Sequence, residues 1–124
     1  MKNYAVVIPA YNEAATIRDI AARALAFGAP VIVVDDGSTD GTSAALAGLP
    51  IQLLRHEKNR GKAATLWRGI EAALALGADA VVTLDGDGQH APEDIPRLVQ
   101  AAEANPGSIV IGALTTHQEV EASS

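Results

Sequence analysis

Residues 31–42 read VIVVDDGSTDGT, four β-branched residues followed at once by two aspartates and a turn that contains glycine. A short apolar run bounded by turn residues is typical of a strand that is buried on both faces. Similar apolar runs recur at 4–8, 51–54, 80–84 and 108–111. Segments with the 3.6-residue spacing of amphipathic helices separate these runs, which predicts a three-layer α/β fold with a mostly parallel sheet.

Four helices are predicted between the strands. Their predicted spans are 13–27, 39–47, 61–76 and 92–104. Asn12 is the expected cap of the first helix, and Pro92 suits the first turn of the last. The third helix is expected to bury one apolar face formed by Ala63, Leu66, Ile70, Ala73 and Leu74. Trp67 lies inside the same helix and is expected to be a packing residue.

The chain of 124 residues has the size of one domain, and no repeat or linker divides it. We expect a domain over 1–114 and a loose tail over 115–124, because the tail lacks apolar periodicity. A net charge of −6 argues against nucleic acid as a partner, and the absence of cysteine restricts metal ligands to oxygen and histidine. No apolar run reaches the ~20 residues of a membrane span, so a cytoplasmic protein is expected.

Polar residues follow four of the five predicted strands. In a parallel sheet these segments meet at one edge, where α/β proteins bind their ligands. Asp85 and Asp87 stand two residues apart after the fourth strand, with Gln89 in line with them. Hard oxygen ligands in this arrangement predict a site for Mg²⁺ or Mn²⁺ completed by substrate phosphate. The alternative is a glycine-rich acidic turn that only caps the next helix.

Two more polar groups stand at this edge. Asp36 is expected to accept hydrogen bonds from a nucleobase, and Asp35 to face the loop backbone or the metal; turn and cap chemistry is the alternative for both.

Phosphate charge is expected to be neutralised by basic residues after the third strand, namely Arg55, Lys58, Arg60 and Lys62. Backbone amides near Gly61, at the start of a helix, would assist them. A solvated loop is the alternative for these side chains, and His56 is expected to be structural or at the surface.

Four motifs follow one another along residues 4–112: IPAYNE at 8–13, VDDGSTDGT at 34–42, NRGK at 59–62 and DGDGQHAPE at 85–93. Together they resemble the family 2 glycosyltransferases, which have the GT-A fold. The last motif is most similar to the polyprenol-phosphate sugar transferases, such as the dolichyl-phosphate mannose synthases. The fold class implied is a Rossmann-like nucleotide-diphospho-sugar transferase domain.

The resemblance implies a metal-dependent, inverting enzyme that uses a UDP- or GDP-linked sugar with Mg²⁺ or Mn²⁺. The acceptor implied is a lipid phosphate or a glycan, and a lipid acceptor implies peripheral association with a membrane. The residues implied around the nucleotide sugar are Pro9, Tyr11, Glu13, Asp36, Gly61, Lys62 and Asp85. The residues implied at the metal are Asp85, Asp87 and Gln89. No catalytic residue is identified.

The chain ends soon after Gly112, whereas members of the resembled family continue well beyond this point. It is therefore expected to be the donor-binding half of a truncated GT-A domain, slow or inactive in transfer unless a partner chain supplies the acceptor half. One alternative is a non-catalytic fragment that binds nucleotide sugars. Another is a haloacid-dehalogenase-like phosphatase, because 81–88 is an apolar strand that ends in Asp-Gly-Asp-Gly. In that class the acidic pair should follow the first strand.

Overall fold

The fold is built on a sheet of five strands in which neighbouring strands run parallel. The computed structural model describes residues 3–86, 91–104 and 109–111. Within these residues the strands are β1 (Tyr4–Ala10), β2 (Val31–Asp35), β3 (Gln52–Arg55), β4 (Ala80–Thr83) and β5 (Ile109–Ile111). Every described pair of neighbours is parallel. The predicted parallel α/β sheet is confirmed, and each strand begins and ends close to its predicted position.

The strand order is β3-β2-β1-β4-β5, so the first strand lies in the middle of the sheet. After β1 the chain adds β2 and β3 on one side, and then returns to place β4 and β5 on the other. The direction of the strand order therefore reverses between β1 and β4. In open parallel sheets, ligands bind beyond the carboxyl ends of the strands next to such a reversal.

Helices cover both faces of the sheet. They are α1 (Ile17–Leu25), α2 (Lys62–Ala75) and α3 (Ile95–Ala104). α1 and α3 pack on one face with alternate strand residues such as Val6, and α2 packs on the other with residues such as Val7. All the residues of β2 are buried, which explains why Val31–Val34 are apolar without alternation.

Two predicted helices are not formed as predicted: the one that follows β2, and the first turn of the one that contains α3. The predicted helix over 39–47 is wrong, because only Ala44–Leu46 form a turn of 3-10 helix. The Oδ1 atom of Asp40 accepts the N–H of Thr42 at 3.1 Å, and a side chain that takes backbone donors in this way competes with helix formation. The helix predicted over 92–104 starts with a 3-10 turn, Pro92–Asp94, and continues as the α-helix α3, Ile95–Ala104.

The first helix begins later than predicted, and Asn12 is not its cap. Thr16 occupies the position before α1. Asn12 has a φ of 54°, and its Oδ1 accepts the N–H of Thr39 at 2.9 Å. The asparagine side chain therefore joins two loops instead of closing the helix end.

α2 faces the sheet with only part of the predicted apolar face, in which Ile70 and Ala73 are buried as predicted. Its buried residues are Thr65, Gly69, Ile70 and Ala73. Ala63 is exposed, and Trp67 and Leu74 are each 56% exposed, so the packing predicted for these three is wrong. The reason is that α2 packs on β1 at Gly69, where there is no room for a side chain. A Cβ atom on Gly69 would lie 2.3 Å from Cγ1 of Val7. Close approach at Gly69 brings the helix onto the sheet along this side and leaves the larger residues outside.

Replacing Gly69 with alanine should destabilise the protein, although alanine is the better helix former. The added methyl group would overlap Val7 and lie 3.2 Å from Cγ2 of Val34. Overpacking of this kind costs about 1–3 kcal/mol, which urea unfolding followed by circular dichroism would measure.

Val7→Ala removes the atom that the new methyl group meets. The double variant Gly69→Ala/Val7→Ala should therefore be more stable than the sum of the two single losses implies. Strictly additive losses would contradict the close contact between α2 and β1.

Candidate functional site

A cleft of about 390 Å³ opens at the carboxyl edge of the sheet, next to the reversal of strand order. Four segments form it: the end of β1, the residue after β2, the start of α2 with the segment before it, and the residues after β4. The lining residues are Pro9, Ala10, Tyr11, Glu13, Asp36, Asn59, Gly61, Lys62, Thr65, Asp85 and Gly86. The cleft therefore lies where a parallel sheet of this topology is expected to bind a ligand.

All the residues predicted to surround a nucleotide sugar line this cleft. Asp87 and Gln89, which are predicted metal ligands, lie outside the described residues. The lining residues that sequence reasoning missed are Ala10, Asn59, Thr65 and Gly86. Asn59 belongs to the same NRGK motif as Gly61, and Thr65 follows Gly61 by about one helical turn, so the spacing held a signal for both.

Side chains from the segment after β2 hold the segment after β1. Three backbone N–H groups donate across this gap: Asn12 to Oγ of Ser38 (2.8 Å), Glu13 to Oγ1 of Thr42 (2.9 Å) and Ala14 to Oδ2 of Asp40 (3.1 Å). A hydrogen bond from the Thr42 hydroxyl is the main cause that lowers the pKa of Asp40, which keeps this carboxyl charged. These contacts fix the backbone that carries Tyr11 and Glu13 into the cleft.

Asp35 is fully buried and is hydrogen-bonded entirely within the protein. Its Oδ1 accepts the N–H of Ser38 at 2.9 Å, and its Oδ2 accepts the Ser43 hydroxyl and a guanidinium N–H of Arg55 at 3.0 Å. Arg55 also donates to the carbonyl oxygen of Ser38 at 2.9 Å. Asp35 thus faces the loop, and the guanidinium of Arg55, a predicted phosphate-neutralising group, is used to hold that loop.

Asp36 is buried as well, and donors from the segment after β3 meet its carboxylate. Nδ1 of His56 lies 2.7 Å from Oδ1, the N–H of Arg60 donates to the same oxygen at 2.8 Å, and the N–H of Gly61 donates to Oδ2 at 3.0 Å. Burial by itself raises the pKa of Asp36, but the hydrogen bonds outweigh burial and hold the pKa below its ordinary value. Asp36 is therefore a charged clamp that holds 56–61 against the end of β2.

Lys62 and Asp85 meet at the mouth of the cleft. Nζ of Lys62 is 3.2 Å from Oδ1 of Asp85, and the exposed fractions of the two side chains are 64% and 13%. An ion pair with such an exposed lysine adds little to stability, so it leaves the carboxylate available to other partners. Carboxylate oxygen suits Mg²⁺ or Mn²⁺, although the described ranges hold no cluster of three metal-ligating side chains. Asp85 is the predicted metal ligand that the structure describes.

Comparison with known families decides what kind of domain carries this cleft. The model of glycosyl transferase family 2 matches residues 5–123. The chain belongs to this family. The resemblance drawn from the four motifs is therefore confirmed, and the phosphatase alternative is removed. The acidic pair also follows β4, instead of the first strand that the phosphatase class requires.

Two curated relatives of this family 2 chain act on lipid phosphates by name. It is 32% identical over 126 residues to the UDP-N-acetylglucosamine–dolichyl-phosphate N-acetylglucosaminyltransferase of Methanococcus voltae, covering 87% of this chain and 50% of the relative. It is 36% identical over 131 residues to the undecaprenyl-phosphate 4-deoxy-4-formamido-L-arabinose transferase of Aeromonas hydrophila, covering 96% of this chain and 39% of the relative. The chain thus spans half or less of the length of these relatives.

Solved structures agree on the fold. The glucosyl-3-phosphoglycerate synthase of Mycobacterium tuberculosis, in its complex with Mn²⁺ and UDP-glucose, superposes with a TM-score of 0.72 at 28% identity. The match covers 86% of this chain and 41% of the synthase. The predicted GT-A fold class is confirmed by this likeness.

Replacing Asp35 with asparagine should cost about 2 kcal/mol or more, because the hydrogen bonds from Arg55 and the loop lose a charged, buried acceptor. Urea unfolding would measure this loss. Asp19→Asn is a matched control, since Asp19 also pairs with an arginine, Arg23 at 2.9 Å, but its side chain is 68% exposed. The control should leave the unfolding midpoint nearly unchanged. Equal losses in the two variants would contradict the structural role of Asp35.

Proposed function

We propose that this chain forms the donor site of a glycosyltransferase that moves a sugar from a nucleoside diphosphate to a lipid phosphate of the polyprenol type, with inversion at the sugar. The observation that carries the proposal is the cleft at the strand reversal, which is lined by every residue predicted to bind the nucleotide sugar. The names of the two lipid-phosphate transferases and the UDP-glucose complex of the synthase support the same chemistry.

The base and ribose would occupy the end of the cleft formed by β1 and β2. Tyr11 is 46% exposed at the cleft, so its ring offers an apolar surface against which a base can pack. Asp36 lies on the same wall and can accept from a ring N–H, and Glu13 can accept from a ribose hydroxyl. Each contact uses a group that the neighbouring loops already hold in place.

The diphosphate would lie toward α2. Lys62 is the first residue of this helix, and Gly61 precedes it without any side chain that caps the helix end. The positive end of the helix dipole and the Lys62 ammonium would both favour a phosphate there. This placement uses Lys62 in the role predicted for the basic segment.

The cleft residues also fit a divalent cation. Asp85 would hold it together with Asp87 and Gln89, which we propose as further ligands on the strength of their spacing in the sequence. Mg²⁺ or Mn²⁺, when bound, would neutralise the charge that develops on the leaving nucleoside diphosphate. The protein itself would hold the donor so that its sugar faces the acceptor.

A lipid-phosphate acceptor would bring this cleft to a membrane surface. Within the described residues, none of the helices has the length and apolar character needed to pass through a bilayer. We propose, from the lipid-phosphate acceptors in the names of the relatives, that the chain contacts the membrane peripherally. The acceptor site would come from the further length that the relatives have, or from a partner chain.

Binding of UDP to the chain should depend on a divalent cation, because carboxylates and a diphosphate of like charge meet in the cleft. Titration calorimetry in Mn²⁺ and in EDTA should show at least about tenfold weaker binding in EDTA, on the order of 1.4 kcal/mol. Asp85→Asn should lose most of the gain from the cation.

Asp79→Asn is the matched control, since exposed Asp79 precedes β4 while Asp85 follows it. This control should bind UDP as the unaltered chain does. Equal UDP affinity in Mn²⁺ and in EDTA would contradict the role of the cation. A chain that binds no nucleoside diphosphate under either condition would overturn the proposed function.

A further inference from the structure

We infer that His56 makes the cleft prefer uracil to guanine as the base of its nucleotide. Uracil offers Asp36 a single ring N–H, whereas guanine offers two adjacent N–H groups. His56 does not line the cleft and would act through Asp36, so it is a positioning residue. The inference rests on the proposed function and deepens it, because it chooses between UDP- and GDP-linked donors.

Asp36 can accept only a limited number of hydrogen bonds. A carboxylate has two oxygens with about two lone-pair positions each. Oδ1 already accepts from His56 and from the N–H of Arg60, so both of its positions are filled. Oδ2 accepts the N–H of Gly61, which leaves it one further position.

The Thr65 hydroxyl also lies beside the Asp36 carboxylate, and of the hydrogen bonds that lower the pKa of Asp36 it makes the smallest contribution. Its one proton is donated to the carbonyl oxygen of Gly61 at 2.7 Å, so it does not take the remaining position on Oδ2. The side chain of Asp36 is only 5% exposed, so its contact with a ligand is narrow. Asp36 therefore offers a ligand one acceptor position instead of two adjacent ones.

The proton on His56 follows from the same geometry. A charged carboxylate only accepts, so Nδ1 of His56 must carry the hydrogen in its 2.7 Å contact with Asp36. The His56 side chain is 3% exposed, which keeps water from competing for this hydrogen bond. The imidazole thus occupies a fixed position on Oδ1 that a base cannot take.

The two bases differ in what they ask of a carboxylate. Guanine presents a ring N–H and an exocyclic amino group side by side, and this pair is satisfied by two carboxylate oxygens at once, as an arginine fork is. Uracil presents one ring N–H between two carbonyl groups, which is satisfied by a single acceptor. A guanine at Asp36 would leave one N–H without a partner, and an unpaired buried donor weakens binding.

The experiment compares UDP and GDP binding to the chain in Mn²⁺ by titration calorimetry, for the unaltered chain and for His56→Leu and His56→Asn. We expect the unaltered chain to prefer UDP by about tenfold or more, within the range that one well-placed base contact provides. Leucine cannot donate to Oδ1, so His56→Leu should reduce the preference at least fivefold. Asparagine can place an amide N–H at the position of the histidine Nδ1, so His56→Asn should keep most of the preference for UDP.

Arg55→Leu is the matched control, because Arg55 holds Asp35 in the way that His56 holds Asp36. It should lower stability and leave the ratio of UDP to GDP affinity unchanged. This ratio is a readout that a purely structural role of His56 would not move.

A second probe keeps the inference testable if a variant does not fold. UDP methylated at the ring nitrogen N3 lacks the N–H that Asp36 would accept, and it should bind the unaltered chain at least about tenfold more weakly than UDP. Equal binding of UDP and GDP, or of UDP and its methylated form, would overturn the inference and leave the proposed function standing. Binding of none of them would overturn both.

Discussion

Two adjacent carboxylates at the end of a buried strand are the constraint on which the cleft depends. Because burial removes water as a partner, Asp35 and Asp36 must each meet hydrogen-bond donors within the protein. The neighbouring strand supplies them in register, since Asp35 pairs with Arg55 and the next residue, His56, meets Asp36. One carboxylate holds the loop after β2, and the other holds the loop after β3. Both loops are therefore fixed by two adjacent residues at the end of β2.

The charge of the cleft follows from the same arrangement. Among the described residues, Glu13, Asp36 and Asp85 line it together with one ammonium group, that of Lys62, in a chain whose net charge is −6. Hydrogen bonds from the loop after β3 already stabilise the charge of Asp36, and Lys62 forms an ion pair with Asp85. The helix end at Gly61 adds positive potential without adding a charged side chain. An acidic protein can in this way present a local environment suited to an anionic ligand that brings a cation with it.

The sheet and the position of the cleft could be predicted from the sequence, because apolar runs identify buried strands and parallel strands gather their carboxyl ends at one edge. The exposed position of Trp67 could not be predicted in this way. The spacing of apolar residues carries no information about how closely Gly69 lets α2 approach Val7. The helix missing around Asp40 reflects hydrogen bonds between loops, which depend on the finished fold. The motifs predicted Asp36 as a site residue, but only the structure reveals which of its lone pairs are already occupied.

The pairing of loops through side chains also determines which parts of the chain can be exchanged with a homologue. The segment 11–16 takes its backbone contacts from 38–42, and 56–61 takes its own from Asp36. A chimera that replaced one of these segments alone would bring in backbone donors without the acceptors that match them. The exchangeable unit is therefore the set of three loops together, and a chimera that keeps the cleft intact would have to take all three from one parent.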